Sequence, residues 1–113
     1  MGYQHGHVVS ISDPYERRPS RPVVIISDED CPDHGELYTV AAMTGSEQYG
    51  QNRYAVTVEQ DEPEVGELLK RSYVELWATK QVDHSDIRDV HARFGEDTMR
   101  RLAKAFAAMV LKG

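Results

Sequence analysis

Arg21-Pro22-Val23-Val24-Ile25-Ile26-Ser27 places four β-branched apolar residues in a row between a proline and a serine. Side chains branched at Cβ are stiff and pack well on a pleated surface. The run is also too short for an ordinary helix, so Pro22 to Ser27 is expected as a buried strand. The flanks carry the same rhythm. Upstream, His7-Val8-Val9-Ser10-Ile11 reads as a first strand, stopped by the turn signal Ser12-Asp13-Pro14. Downstream, Asp28 to Gly35 holds the Asp, Pro and Gly of two turns, Leu37 to Met43 is a third strand, and Gly45 to Gln51 a polar loop. Arg53 to Glu59 alternates, with Tyr54, Val56 and Val58 on one side, as a half-buried strand should. Tyr73 to Thr79 is a fifth strand carrying the lone Trp77, expected in the core.

The end of the chain changes period. Around Ile87 and Val90 either a short strand or a turn of helix fits. From Thr98 onward Met99, Leu102, Ala103, Phe106 and Val110 recur at helical spacing, with Arg100, Arg101 and Lys104 elsewhere. That spacing predicts an amphipathic helix of about three to four turns. Gly95 to Asp97 supply its cap and first-turn acids. Its apolar stripe is expected in the core, part of it extending to a dimer contact. Five or more short strands and a terminal helix imply an α+β fold, a small antiparallel barrel in a single domain spanning 1–113.

Composition limits the function. With 113 residues there is room for one hydrophobic core. No run approaches the roughly 18 apolar residues that span a bilayer, and Met1 to His7 has no signal-peptide pattern. A single cysteine, Cys31, excludes an internal disulfide and fits a reducing compartment. A cytoplasmic protein without membrane contact is expected. The formal charge is −6, with nine arginines against four lysines. Such acidity argues against broad nucleic-acid affinity, which normally appears as a basic domain. It suits either a high-salt habitat or an ordinary acidic protein. His5-x-His7 lacks a partner carboxylate, so no metal is expected. Cys31 beside Pro32 has no neighbouring base and is not expected to be a nucleophile. His34, His84 and His91 stand in polar contexts and are expected on the surface.

Taken singly, Arg21 is a solvated residue at a strand start, and Thr44 a strand-ending threonine whose hydroxyl serves the backbone. Ser27 reads the same way. Their order says more. Gly6-x-Val8-Val9, a loop containing Pro14, Arg21-Pro22 before the apolar strand, Ala41-Ala42-Met43-Thr44 closing the third, and Ser72-Tyr73-Val74 opening the fifth follow one another. This order resembles the MazF/PemK toxin family, from about His5 to Leu111.

The resemblance implies the family's SH3-like β-barrel (the MazF/PemK/CcdB type) with a C-terminal helix. It implies a homodimeric toxin of a toxin–antitoxin pair, cleaving single-stranded RNA without metal or other cofactor and neutralised by a cognate antitoxin. In the family, the Arg before Pro and the Thr ending the third strand serve the scissile phosphate; they map onto Arg21 and Thr44. Ser72 falls where the family often has a serine lining the same site. Arg17 and Arg18 lie in a loop that borders the family's RNA groove; the equal alternative is an exposed pair that offsets Asp13 and Glu16. Arg53 is a further groove candidate. Three departures stand out: Ala78 and Lys80 replace the family's usual Gln and Arg, His7 stands where an acid is common, and the charge is unusually negative.

Attack of a ribose 2′-hydroxyl on its own phosphate needs no protein nucleophile. It needs positioning, a proton acceptor and stabilisation of developing charge. An arginine fork matches two phosphate oxygens, and a threonine hydroxyl can serve a third or align the 2′-hydroxyl. A guanidinium gives up its proton too reluctantly for Arg21 to be a good base, and the sequence singles out no other. Two alternatives use the same fold: a non-catalytic SH3-like module poisoning a protein target, as the related CcdB inhibitors do, and a degenerate family member with a regulatory binding role. Whether Arg21 and Thr44 face one groove separates them.

Overall fold

The computed structural model describes residues 2–12 and 20–112, and a single antiparallel sheet organises them. Its strands are β1 (His7–Ile11), β2 (Arg21–Ile25), β3 (Leu37–Thr44), β4 (Ala55–Val58), β5 (Val65–Gly66), β6 (Ser72–Asp83) and β7 (Ile87–Arg93). Their spatial order is β4-β6-β3-β2-β1-β7-β5. A short helix α1 (Glu47–Gly50) follows β3, and α2 (Glu96–Leu111) closes the chain. The sheet curls into a half-barrel, the expected small antiparallel barrel with a C-terminal helix.

The curl gives the sheet a core on each face. Val8, Val24, Met43, Val58, Val74 and Leu76 point to one side and join Phe94, Met99 and Leu102 of the C-terminal segment. Val9, Ile11, Val23, Ile25, Tyr38, Val40, Val82 and Ile87 form a second cluster. This explains why Val23-Val24-Ile25 does not alternate: successive side chains point to opposite faces, and both faces are buried.

β1 enters through Gly6, which sits at φ +90°, and a Cβ there would stand 2.9 Å from the Phe94 carbonyl oxygen. Only glycine takes both the backbone conformation and the close approach. Gly6 N–H donates to the Ile25 carbonyl and its own carbonyl accepts from Phe94, tying β1 to both neighbours. At the other end, Glu62 holds α2 in place. Its Oε2 accepts from Thr98 Oγ1 at 2.7 Å and Arg101 Nη1 at 2.5 Å, while Arg101 Nη2 donates to the Thr57 carbonyl at 2.6 Å.

Several expectations are corrected. Trp77 is not core: it is 38% exposed. Between β3 and β6 the register jumps from Ala41↔Thr79 to Ala42↔Glu75, leaving Leu76, Trp77 and Ala78 without partners on β3. Such a bulge bends the strand and re-aims its side chains; Leu76 turns inward at 1% exposure and Trp77 outward. The Ile87–Val90 segment is strand, the Gly45–Gln51 loop contains α1, and α2 begins at Glu96 and runs 16 residues. The apolar stripe of α2 is core only in its first half. Met99 and Leu102 are buried, whereas Phe106 and Val110 are exposed because the helix outruns the strands it packs on, β6 and β4. His34 is half-buried, edge-on to Tyr38, and not a surface residue. Ser27 behaves as expected of it, its Oγ accepting from Thr39 N–H at 3.1 Å.

His7 gives the fold an acid-sensitive contact. Its Nδ1 accepts from Gln4 N–H at 2.8 Å, which requires an unprotonated nitrogen. Burial, then the nearby Arg93 cation, hold its pKa below the ordinary histidine value. The unfolded chain, near 6.5, therefore takes up the proton first. Stability should be flat above about pH 6.5 and fall as the pH drops from there towards the lower folded value. His7→Gln should flatten that fall in thermal melts between pH 7.5 and pH 5. Equal slopes in the two proteins would refute the assignment.

Candidate active site

The register of three ladders assembles the site. β2 pairs with β3 at Val23↔Ala42; Arg21 and Thr44 lie two residues beyond that pair on their strands, so each keeps its face. Thr44 pairs with Tyr73, and Tyr73 with Thr57; in the next row Ala42 pairs with Glu75, and Glu75 with Ala55. Directly opposed residues share a face, as do residues two apart on one strand. Arg21, Thr44, Tyr73 and Glu75 therefore stand on one face, opposite the one that α2 covers, beside the second core.

Each side chain has a distinct setting. Arg21 and Thr44 are half-buried. Thr44 Oγ1 accepts from Ser46 N–H at 3.2 Å, which leaves the hydroxyl proton free to donate elsewhere. Glu75 is 8% exposed, flanked on both neighbouring strands by alanines, and its carboxylate has no hydrogen-bond partner among the described residues. Burial pushes its pKa up, and the Arg21 cation partly offsets that. Tyr73 lies under α1, where a Cβ on Gly50 would collide with its ring. Glycine at that position lets α1 border the patch. On the other side, Lys70 Cε and Nζ occupy the space that a Cβ on Gly45 would need, so a second cation lies against the residue that follows Thr44.

The remaining candidates are placed elsewhere. Ser72 pairs with Val58 of the first core, hence faces away from Arg21, and its Oγ donates to the Lys70 carbonyl at 3.0 Å. Arg53 is exposed ahead of β4, its guanidinium 5.0 Å from the centre of the Tyr54 ring. Arg17 and Arg18 lie outside the described residues. Glu75, Tyr73 and Lys70 are absent from the sequence-based candidates. The signal for two of them was the alternation of Tyr73-x-Glu75 against Val74-x-Leu76, which puts a carboxylate and a phenol on one side of β6.

Chemically, the patch offers a planar cation, a hydroxyl donor and a buried carboxylate on one sheet face. The two shallow clefts of about 300 Å³ each lie elsewhere, around Arg93. A half-buried polar strip outside both clefts suits an extended chain better than a small enclosed ligand. No cluster of three or more His, Cys, Asp or Glu side chains suited to a metal occurs among the described residues.

No curated protein matches this chain. Solved structures do, at the level of fold. An endoribonuclease from a mycobacterial species, in complex with its cognate antitoxin, superposes with a TM-score of 0.77 at 17% identity, covering 98% of this chain and 96% of that one. The MazE–MazF complex from Deinococcus radiodurans gives 0.74 at 14% identity, over 97% and 96%. The Mycobacterium tuberculosis toxin MazF-mt6 gives 0.70 at 20% identity, over 91% and 95%. The family model for PemK-like, MazF-like toxins of type II toxin–antitoxin systems matches residues 5–110, nearly the whole length, and the chain therefore belongs to that toxin family.

Proposed function

We propose that the protein is the toxin of a toxin–antitoxin pair and acts as a metal-independent, sequence-selective endoribonuclease on single-stranded RNA. The observation that supports this reading best is that Arg21 and Thr44 share one face of the sheet, two residues beyond the Val23↔Ala42 pair. The fork of Arg21 holds two oxygens of the scissile phosphate, and the free Thr44 hydroxyl donates to a third. The adjacent 2′-hydroxyl attacks in line. Products carry a 2′,3′-cyclic phosphate, or its hydrolysed form, and a 5′-hydroxyl. The names of the similar structures support this, one being an endoribonuclease bound to its antitoxin; here too an antitoxin segment would lie along the groove and exclude RNA. The shared face of Arg21 and Thr44 favours this over a non-catalytic module.

One barrel is too small to read several nucleotides, so the working unit is a symmetric homodimer with each patch meeting its own copy. Exposed Phe106, Val110 and Leu111 at the end of α2 are available to such a contact. One experiment tests activity and assembly together. Protein at micromolar concentration is run by size exclusion, and each fraction is incubated with a mixed single-stranded RNA pool in EDTA, the new ends being sequenced. The expected result is one dimer-sized peak that carries all cleavage, with ends clustered on a short motif. A monomer peak with no cut RNA would overturn the reading.

A further inference from the structure

We infer that Glu75 is the catalytic proton acceptor of this site, taking the proton from the attacking ribose 2′-hydroxyl. The inference rests on the endoribonuclease reading and supplies the proton acceptor which that reading lacks. Three observations carry it.

Glu75 is the one acidic residue that is buried among those described, at 8% exposure. It lies one row from Thr44 on the same face, with Ala42 and Ala55 as its cross-strand neighbours. Both cross-strand neighbours are alanines, so no bulky side chain stands beside the carboxylate in its row. The Arg21 cation is near enough to act on its charge. Burying a carboxylate costs folding free energy. Its presence at a patch built around Arg21 is the kind of local conflict that marks a functional group.

The chemistry balances without any other reactant than water. The Glu75 carboxylate takes the 2′-hydroxyl proton as the 2′-oxygen forms its bond to phosphorus. The bond from phosphorus to the 5′-oxygen breaks, and the departing oxygen takes a proton from water. Glu75 then returns its proton to solvent. Burial favours the form that has accepted the proton, and the Arg21 cation opposes that in part.

The test compares wild type with Glu75→Gln and Glu75→Asp. Single-turnover cleavage of the mixed RNA pool in EDTA is followed from pH 5 to pH 8, alongside binding of a 2′-deoxy pool and thermal melts. Glu75→Gln should bind the deoxy pool within about threefold of wild type yet cleave about 10²–10⁴ times more slowly, the usual contribution of a positioned base. The rise of log rate with pH on the acid side of the wild-type profile should vanish in the residual activity. The melting temperature should hold or increase, because an uncharged isostere removes a buried charge. Glu75→Asp keeps the carboxylate set back by one methylene and should fall between the two. A Glu75→Gln protein that cleaves like wild type, that loses binding as much as turnover, or that melts well below wild type would overturn the inference. An active wild type beside an equally active Glu75→Gln removes Glu75 alone, whereas a wild type that cuts no RNA removes the endoribonuclease reading as well.

Discussion

Arg21→Ala should lower turnover by a factor of about 10²–10³ while leaving the melting temperature near that of wild type. The size is that of losing one preorganised electrostatic donor to a charged transition state. The fold should survive because Arg21 is half-buried at the outer end of β2, while the packing of that strand comes from Val23, Val24 and Ile25. A second signature separates this from general damage. Arg21 is the charge that holds Glu75 down against its burial, so its removal should move the acid-side rise of the pH–rate profile to higher pH. Arg21→Lys keeps the charge and should restore that position, but regains only part of the rate, since an ammonium makes no two-pronged contact. Turnover and melting curves measured together decide the matter: wild-type rates in folded Arg21→Ala would remove Arg21 as the phosphate ligand.

Thr44→Val should be nearly as damaging, cutting turnover by about 10²-fold, and Thr44→Ser should be mild. Valine keeps the shape of threonine and deletes the hydroxyl, whose oxygen also accepts from Ser46 N–H. Losing that acceptor costs about 1 kcal/mol or less at an exposed backbone group, a small fall in melting temperature. Such a fall is too little to explain a hundredfold loss at a temperature where the protein stays folded. If instead Thr44 served only the turn into α1, the valine variant would melt earlier yet cleave normally per folded molecule. Rates corrected for the folded fraction therefore distinguish the two roles.

The strands were readable because their signals are local. β1 covers the residues its pattern indicates, His7–Ile11, and the apolar run after Pro22 becomes β2. The helix was equally plain from its period, apart from its first turn. Trp77 went astray because its exposure depends on a bulge, and a bulge arises from how β3 and β6 align, two segments far apart in sequence. Glu75 was overlooked for the same reason. One glutamate in an alternating strand reads as solvent-facing until the neighbouring strands are known to offer Ala42 and Ala55. Ser72 shows the converse: it stands in the right sequence order, yet parity puts it on the other face from Tyr73 and Glu75. Order in the sequence carried Arg21 and Thr44 to the same place; the face and the depth of every other group needed the ladder.

The position of β1 between β2 and β7 has a consequence for the making of the protein. Strands β1 to β3 and the site residues on β2, β3 and β6 all precede β7 in the chain. The cluster beneath α2, however, is completed by Phe94, Met99 and Leu102. Contacts between segments so distant form slowly and only after both have been synthesised. A growing polypeptide on the ribosome thus carries the paired Arg21 and Thr44 strands long before it can seal the apolar side beneath them. Translation must reach α2 before the toxin can settle into a durable shape, so a transcript cut short of that helix yields a chain with an open, sticky underside instead of a slightly shortened toxin.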